Sequence, residues 1–391
     1  MTMNEATRKF IKEHLNNDIH TLALQAGRYP DVDMREAVTQ IEGYRNAKSK
    51  LPEWAQKDGI IFPPRISMEQ CSSQATALYK ASLLQGESVA DLTGGFGIDC
   101  SYIARNFSKA FYIERSPLLC NIARNNFAVL GLRHITITEG ECETVLPSLP
   151  HLDWIFIDPA RRDGDGRKVV ALADCTPSVT ALEETLMQKS GKVMIKCSPM
   201  LDAAAARREL KNISEVHIIA VNNECKELLF ILDHERKESV TTHCINITGE
   251  SRETFSFTDK EETAALATHA NELGQYLYEP NAAIQKAGCH RALTTATNTC
   301  KLHPNSQLYT ADVFIAQFPG RKFRIIKQYG FAKNDIKELT TLKKGNITVR
   351  NFPDSVEQLR KRLKLADGGD NYIFATTLAD GRKVLILCEK I

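Results

Sequence analysis

Short apolar runs alternate with segments of helical periodicity through the middle of the chain. Short runs bounded by polar residues predict buried strands, and apolar residues that recur every three or four positions predict helices. The predicted strands are residues 89–91, 110–113, 135–138, 152–157, 193–199, 216–221 and 227–232. Strands that alternate with helices form a mainly parallel sheet. The pattern therefore predicts an α/β fold with a doubly wound, seven-stranded, Rossmann-like sheet.

The segments on either side of this sheet have different patterns. Apolar residues at helical spacing predict an N-terminal helical subdomain over residues 1–60, which either packs as a structural subdomain or covers a substrate site. The sheet domain is predicted at 61–270, and a shorter segment at 271–319 contains a strand and a helix. Residues 320–391 are predicted to form a C-terminal α+β domain that ends in a hairpin.

Two local patterns make further structural predictions. Ser67 and Gln70 have the spacing of a capping box, in which the two side chains bond the backbone at a helix start. This spacing predicts that a helix begins at Ser67 and runs to about Leu84, directly before the first strand. Residues 241–247 and 254–257 predict one more hairpin, to which the pattern assigns no place in the fold.

Length and composition limit the class of protein. The chain has 391 residues, 43% of them hydrophobic, which is typical of a globular protein with two or three domains. The first fifteen residues are mostly polar and charged, and no apolar run approaches the roughly 18 residues of a membrane span. Eleven cysteines without C-x-x-C pairs are typical of a reducing compartment. We therefore predict a cytoplasmic protein with no membrane partner.

One group of residues has the types that zinc prefers. Cys289 and His290 are followed by Cys300 and His303, but neither half has the spacing of a standard zinc finger. We therefore predict that the chain has no metal site and leave this group without a role.

The first predicted strand is followed by a glycine turn that is suited to a ligand. Asp91 ends the strand, and a turn with Gly95 and Gly97 leads into a helix, whose N-terminus offers unpaired N–H groups. Seventeen residues after Gly97, Glu114 ends the second strand, where a carboxylate accepts hydrogen bonds from ribose. This spacing alone fits either a nicotinamide dinucleotide or an adenosyl cofactor. The dinucleotide fingerprint has a third glycine, and an acid at Asp91 would repel phosphate, so the turn favours a cationic ligand.

An acid followed by a G-x-G turn resembles the first motif of the class I S-adenosylmethionine-dependent methyltransferases. The resemblance implies that S-adenosyl-L-methionine is the cofactor. It also implies that Glu114 holds the ribose and that Glu141, with Cys142 beside it, contacts the adenine; otherwise Glu141 is a surface residue. The implied cofactor-binding residues are Asp91, Leu92, Thr93, Gly95, Gly97, Glu114, Arg115, Glu141, Cys142, Asp158 and Pro159.

The fourth strand leads into Asp158-Pro159-Ala160-Arg161. This sequence resembles the Asp-Pro-Pro-Tyr motif of amino methyltransferases that act on nucleobases, although it lacks the second proline and the aromatic. The resemblance implies that Asp158 is catalytic, as the amine orienter or proton acceptor, unless it bonds only its own turn. Arg161 is also assigned to the catalytic site. The side chains of Arg161 and Arg162 would bind a phosphate, stack on a base or pair with an acid. Methylation of uracil C5 would need a nucleophilic cysteine, and Cys197 has no such motif around it.

Nearly the whole chain resembles the THUMP-like methyltransferase family of Bacteroidetes-type bacteria, whose members carry a ferredoxin-like segment and a THUMP-like C-terminal domain. True THUMP domains bind RNA. Residues 320–364 contain thirteen basic and four acidic residues, a net charge of +9 against +2 for the chain, with Phe323, Tyr329 and Phe331 interleaved. The predicted RNA-binding residues are Arg321, Lys322, Arg324, Lys327, Lys343 and Lys344. Alternatively, the charges form a solvated face and the aromatics belong to the core.

Together, these features predict an S-adenosylmethionine-dependent methyltransferase that acts on a nucleobase in ribosomal or transfer RNA. Three alternatives stay open at this point: a methyltransferase acting on DNA, one acting on a small molecule, and a non-catalytic RNA-binding protein that keeps the cofactor fold.

Overall fold

The computed structural model describes residues 3–161, 172–235, 238–270 and 272–391. The chain divides into two compact units, one of Met1–Ser214 with Leu228–Arg236 and the other of Glu215–Glu227 with Lys237–Ile391. In the ranges that the structure describes, we find no helix with the length and apolar character needed to span a membrane.

Sixteen α-helices are formed by the described residues. They are α1 (Glu5–His14), α2 (Ile19–Leu24), α3 (Met34–Lys50), α4 (Pro52–Ala55), α5 (Arg65–Gln70), α6 (Gln74–Leu83), α7 (Ile98–Ile103), α8 (Pro117–Val129), α9 (Cys142–Val145), α10 (Val179–Lys189), α11 (Ala203–Glu209), α12 (Asp259–Ala264), α13 (Ala282–Ala287), α14 (His290–Thr297), α15 (Lys333–Leu339) and α16 (Val356–Leu363).

The same residues form eighteen β-strands. They are β1 (Ser88–Asp91), β2 (Lys109–Glu114), β3 (Ile135–Glu139), β4 (Leu152–Ile157), β5 (Ala160–Arg161), β6 (Cys175–Thr176), β7 (Ser190–Cys197), β8 (Ile213–Val221), β9 (Glu224–Asp233), β10 (Thr241–Thr248), β11 (Ser251–Thr258), β12 (Tyr276–Pro280), β13 (Cys300–Lys301), β14 (Tyr309–Ala311), β15 (Gly320–Tyr329), β16 (Asn346–Arg350), β17 (Asn371–Thr377) and β18 (Lys383–Lys390).

The N-terminal segment is helical, as its periodicity predicts. α1 to α4 lie within the first 55 residues, and the buried side chains of Phe10, Leu22 and Ile41 belong to a common core of α1, α2 and α3. Asp33 caps the start of α3: its carboxylate accepts the N–H of Glu36 at 3.0 Å and so satisfies one of the free donors of the first turn.

The single helix predicted from Ser67 to Leu84 is in fact two helices. α5 ends at Gln70, and the cap of α6 is Ser73, whose hydroxyl accepts the N–H of Thr76 at 3.3 Å. Ser67 therefore lies inside α5 and is not the cap. The break leaves Ser72 outside both helices, where its hydroxyl donates to the carboxylate of Asp99 at 2.7 Å. A long-range contact of this kind has no signal in the local pattern.

The central sheet has nine strands in the order β11-β10-β8-β9-β7-β4-β1-β2-β3. The prediction of seven strands is therefore wrong, because the hairpin without an assigned place, β10 and β11, belongs to this sheet. β10 pairs with β8 in parallel and with β11 in antiparallel register. The apolar pattern of a strand predicts that it is buried, but the pattern does not specify which strand it joins.

The strands that carry the predicted site residues are adjacent and parallel. β1 pairs with β2 on one side and β4 on the other, β2 pairs with β3, and β4 pairs with β7, all in parallel register. The carboxyl ends of these five strands therefore lie at one edge of the sheet, where ligands bind in open α/β folds.

The last third of the chain contains a seven-stranded sheet in the order β13-β14-β12-β15-β18-β17-β16. The predicted strand, helix and final hairpin correspond to β16, α16 and β17–β18, whereas the long strand β15 is not predicted. Buried side chains that include Phe323 and Phe374 form one core cluster, and those that include Tyr329 and Leu359 form another. Phe323 and Tyr329 are thus core residues, so they are not exposed for stacking on bases.

Candidate active site

Hydrogen bonds join the ends of β1 and β4 at the carboxyl edge of the sheet. The carboxylate of Asp91 accepts the N–H of Thr93 at 3.0 Å, and the hydroxyl of Thr93 accepts the N–H of Asp158 at 2.6 Å. Leu92, which is buried, donates its N–H to the carbonyl of Phe156 at 3.0 Å. Thr93 therefore holds the motif after β4 at a fixed position beside the glycine turn after β1.

The glycines of this turn have different structural roles. A Cβ atom on Gly94 would lie 2.2 Å from the ring of Tyr112, and one on Gly97 would lie 2.9 Å from the ring of Phe127, so both positions exclude side chains by packing. Gly95 has a φ of +54°, and the nearest atom to a Cβ there, the carbonyl oxygen of Thr93, is 3.8 Å away. Only Gly95 therefore combines a left-handed backbone with open space around it.

Glu114 at the end of β2 connects the second strand to the glycine turn. One carboxylate oxygen accepts the N–H of Gly95 at 2.8 Å, and the other accepts the N–H of Ser116 at 2.8 Å. A carboxylate oxygen has two acceptor positions, so each oxygen retains one for a ligand hydroxyl. These two bonds fix the orientation of the carboxylate, and its remaining acceptor positions are compatible with the predicted contact to ribose hydroxyls.

Asp91 is buried, with 3% of its surface exposed. Burial raises the pKa of Asp91 well above its ordinary value, the hydrogen bond from Thr93 opposes this rise, and the charge of Asp99 adds to it. A cationic ligand beside Asp91 would favour the ionised carboxylate. In its ionised form Asp91 would attract such a group and repel phosphate.

A second feature of the site, which the sequence reasoning missed, is a network of buried charges. The ammonium group of Lys196, on β7, forms an ion pair with the carboxylate of Asp158 and lies 4.0 Å from that of Asp99. The ammonium group of Lys80, which is fully buried on α6, lies 3.1 Å from Asp99 and donates to the hydroxyl of Ser72 at 3.0 Å. The network thus links α6, α7 and β7 to the Asp158 motif.

The two lysines keep Asp99 ionised. Burial alone would raise the pKa of Asp99, but the ammonium groups of Lys80 and Lys196 outweigh it, so this pKa lies below its ordinary value. A lysine near a strand end and an acid in a helix first turn are common in surface positions. The sequence signal for this network is therefore weak: it is a charged residue, Lys196, directly after the apolar run 193–195 of β7.

The residues predicted to hold the adenine lie near the end of β3. Glu141 is exposed at the start of α9, and its carboxylate lies 4.0 Å from the guanidinium of Arg115. Cys142 is buried, and burial raises the pKa of its thiol to about 12, so it is a neutral packing residue at neutral pH. Its N–H belongs to the first turn of α9, where backbone donors have no partner within the helix.

The structure describes the remaining predicted residues to different extents. Pro159 is buried directly after Asp158. The backbone of Arg161 is in β5, opposite Cys175 of β6, but its side chain and the whole of Arg162 lie outside the described residues. Cys197 is buried, and burial raises the pKa of its thiol well above its ordinary value, which does not suit a nucleophile.

This arrangement is suited to S-adenosyl-L-methionine. The acids Asp91 and Glu114 lie at adjacent strand ends and suit a ligand with an ammonium group, a sulfonium centre and ribose hydroxyls, and Gly95 leaves room for its close approach. When bound, the cofactor supplies an electrophilic methyl group. The residues of the chain then have to orient the acceptor in line with that methyl group and keep the acceptor unprotonated.

Comparisons with known proteins agree with this assignment. A family model described as a ferredoxin-like domain matches residues 276–319, and one described as THUMP domain-like matches residues 320–390. A crystal structure of a candidate methyltransferase from Porphyromonas gingivalis W83 is 34% identical, covers 100% of both chains and has a TM-score of 0.90.

Two further relatives match by sequence. A protein of Mycobacterium tuberculosis H37Rv, described as an uncharacterized S-adenosylmethionine-dependent methyltransferase, is 23% identical over 86% of this chain and 91% of its own. A protein of Sulfolobus acidocaldarius, described as a probable cobalt-precorrin-6B C(15)-methyltransferase (decarboxylating), is 30% identical over 26% of this chain and 56% of its own.

The fold, the site and these relatives define the class of protein: it is an S-adenosylmethionine-dependent methyltransferase, and S-adenosyl-L-methionine is its cofactor. More particularly, the chain belongs to the family of the Porphyromonas gingivalis methyltransferase, and its own C-terminal part matches a ferredoxin-like and a THUMP-like domain. The resemblance predicted from the sequence is therefore confirmed.

Substitution of Glu114 by alanine is expected to weaken cofactor binding by about 2–4 kcal/mol, because two charge-assisted hydrogen bonds to ribose are lost and the site rehydrates in part. Calorimetric titration with S-adenosylhomocysteine measures this loss. Glu139→Ala is the matched control, because Glu139 lies opposite Glu114 in the β2–β3 register and is exposed. Equal affinities of folded Glu114→Ala and the control would remove Glu114 from the cofactor site.

Proposed function

We propose that the protein transfers the methyl group of S-adenosyl-L-methionine to a nucleobase in ribosomal or transfer RNA. The observation that carries this proposal is the fixed position of Asp158. Its backbone is held by Thr93 and its carboxylate by Lys196, at the end of the strand next to the cofactor strand β1. A carboxylate held in this way can accept a hydrogen bond from an exocyclic amine and orient its nitrogen toward the methyl group.

The charge of the C-terminal region supports RNA as the partner. Three of the six basic residues predicted to bind RNA are already engaged: Arg321 pairs with buried Glu279, Lys327 pairs with Glu338, and Lys322 donates to the carbonyls of Phe318 and Gly320. The other three, Arg324, Lys343 and Lys344, are exposed. These three are the better candidates for contacts to phosphate.

Two of them belong to a local group of lysines. The segment with Lys343 and Lys344 is bonded to the segment that follows α16: the N–H of Ala366 donates to the carbonyl of Lys343 at 2.9 Å. Lys364, two residues before Ala366, is also exposed. We call Lys343, Lys344 and Lys364 the tail lysine group. Its members are close along two touching segments, as a site that follows a phosphate backbone requires.

A small-molecule acceptor is the second candidate, because the relative from Sulfolobus acidocaldarius is named for a precorrin substrate. That likeness covers about a quarter of this chain and about half of the relative, so it carries little weight for the substrate. The THUMP-like region favours RNA. A DNA acceptor and a non-catalytic role are distinguished from RNA methylation by the experiments below.

Wild-type protein is expected to bind single-stranded RNA with a log–log salt slope near −3.5, for about five phosphate contacts at roughly 0.7 each. Replacing the tail lysine group by glutamine should reduce the magnitude of the slope by about 2, since three contacts are lost. The measurement is RNA titration at several salt concentrations, with a DNA of the same sequence in parallel.

The matched control replaces Lys57, Lys109 and Arg133 by glutamine, which removes the same charge from exposed positions in the other unit. If both triple variants lose affinity and slope equally, binding follows total charge and the tail lysine group is not the RNA-binding surface.

Mass spectrometry of nucleosides from a deletion strain tests the reaction itself. A methylated nucleoside that is missing in that strain, and restored by the wild-type gene, identifies the product; no difference in RNA would contradict the proposal.

A further inference from the structure

Two histidines and a glutamate converge on the strands β8 and β10. Glu215 and His217 are two residues apart on β8, so their side chains leave the same face of the sheet. His243 on β10 is the register partner of His217, and in parallel register the two side chains also share a face. The topology therefore brings together three side chains that are far apart in the sequence.

The separations between their ligand atoms match those around a metal ion. Oε2 of Glu215 lies 3.4 Å from Nε2 of His217 and 3.7 Å from Nε2 of His243, and the three ligand atoms all lie within 4.8 Å of one another. In a tetrahedral zinc site with bonds of about 2.0–2.1 Å, neighbouring ligand atoms are roughly 3.4 Å apart. We propose that Glu215, His217 and His243 bind a divalent transition-metal ion such as Zn²⁺.

Burial and outer contacts support this site. The side chain of His217 is buried, with 3% of its surface exposed. Glu215 and His243 are half-buried, so an ion can reach their ligand atoms from solvent. Nδ1 of His243 lies 2.8 Å from the hydroxyl of Ser256 on β11. A hydrogen bond on one ring nitrogen fixes a histidine and directs the other nitrogen to the metal. Here the other nitrogen, Nε2, is the one that faces Glu215.

The ligand types select a class of metal. Two imidazoles and one carboxylate suit zinc and its neighbours in the first transition row, whereas Ca²⁺ and Mg²⁺ prefer oxygen ligands. Three protein ligands leave at least one position for water. Because the ligands come from two neighbouring strands, the ion would link β8 to β10 and stabilise the unit that contains them.

No other group of three metal-ligating side chains meets the same distance criterion in the ranges that the structure describes. In particular, Cys289, His290, Cys300 and His303 are not brought together in this way. The expectation that the chain has no metal site at all is the one that this proposal replaces.

The test is titration of the chelator-treated, full-length protein with Zn²⁺ and with Co²⁺. We expect one ion per chain, a raised Tm in Zn²⁺, and a Co²⁺ spectrum without the near-ultraviolet bands of thiolate ligands, which separates this site from the free cysteines. Glu215→Gln keeps the shape of the side chain and His243→Gln changes a half-buried position. Each should weaken Zn²⁺ binding at least tenfold, and His290→Gln, from the group that does not assemble, should leave it unchanged.

Thiolate bands, binding that is equal in wild type and both ligand variants, or no rise of Tm with Zn²⁺ would each overturn the proposal. Circular dichroism shows whether a variant is folded. If one ligand variant does not fold, the other decides; if neither folds, the Co²⁺ spectrum and stoichiometry of the wild type decide, because an imidazole and carboxylate site has no thiolate bands.

Discussion

Asp158→Ala is expected to lower kcat by at least about 100-fold, or roughly 2.7 kcal/mol, while cofactor affinity changes little. The expected loss is large because the carboxylate is the group at the end of β4 that would orient the acceptor amine or accept its proton. Cofactor affinity is spared because Asp91 and Glu114 lie on the neighbouring strands. Methyl transfer to RNA from the deletion strain measures kcat, and calorimetry with S-adenosylhomocysteine measures affinity.

Asp158→Asn separates the two roles proposed for this residue. Asparagine still accepts a hydrogen bond from an amine but does not accept a proton, so an orienting role predicts substantial remaining activity and a proton-acceptor role predicts the loss seen for alanine. Asp153→Asn is the matched control, because Asp153 lies near the other end of the same strand, where it accepts the N–H groups of Glu87 and Ser88. If Asp158→Ala keeps activity within about threefold, Asp158 has no chemical role.

Lys80→Met is expected to lower the free energy of unfolding by about 3 kcal/mol, the lower end of the range for breaking a buried ion pair. Lys80 is fully buried, and its loss leaves the charge of Asp99 with only the more distant ammonium of Lys196. Both tryptophans, Trp54 and Trp154, lie in the unit that contains Lys80, so their fluorescence in urea follows this unit alone. Lys109→Met, at an exposed position, should change stability by less than about 0.5 kcal/mol.

The double variant Lys80→Met with Asp99→Asn tests the cause. It should lose less than the sum of the two single changes, because neither charge is then left buried alone. Additive losses would show that Lys80 acts through packing.

The pH dependence of stability has a fixed sign. The folded pKa of Asp99 lies below its ordinary value of 3.8, so the contribution of ionised Asp99 to folding stability is present above about pH 3.8 and is lost as the pH falls further. In Lys80→Met the folded pKa of Asp99 should rise, so this loss of stability at low pH should become smaller than in the wild type or change sign.

The sequence was sufficient for those parts of the site that depend on local order along the chain. Asp91, Gly95 and Glu114 follow strand ends in a fixed spacing, and parallel strands bring their carboxyl ends to one edge, so the pattern alone placed them together. The alternation of apolar runs predicted β1 to β4 and β7 to β9 for the same reason: each run is short, buried and bounded by turns. The two-residue strands β5 and β6 were not predicted.

Contacts between distant segments were decided only by the tertiary structure. The break between α5 and α6 depends on the bond from Ser72 to Asp99, and the nine-stranded sheet depends on the pairing of β10 with β8. The burial of Phe323 in a core, the pairing of Arg321 with Glu279, and the charge network around Lys80 likewise depend on which elements meet. A residue type specifies a side chain's chemistry, but its partners and its exposure depend on long-range packing, because burial and Coulomb energy are properties of the folded neighbourhood.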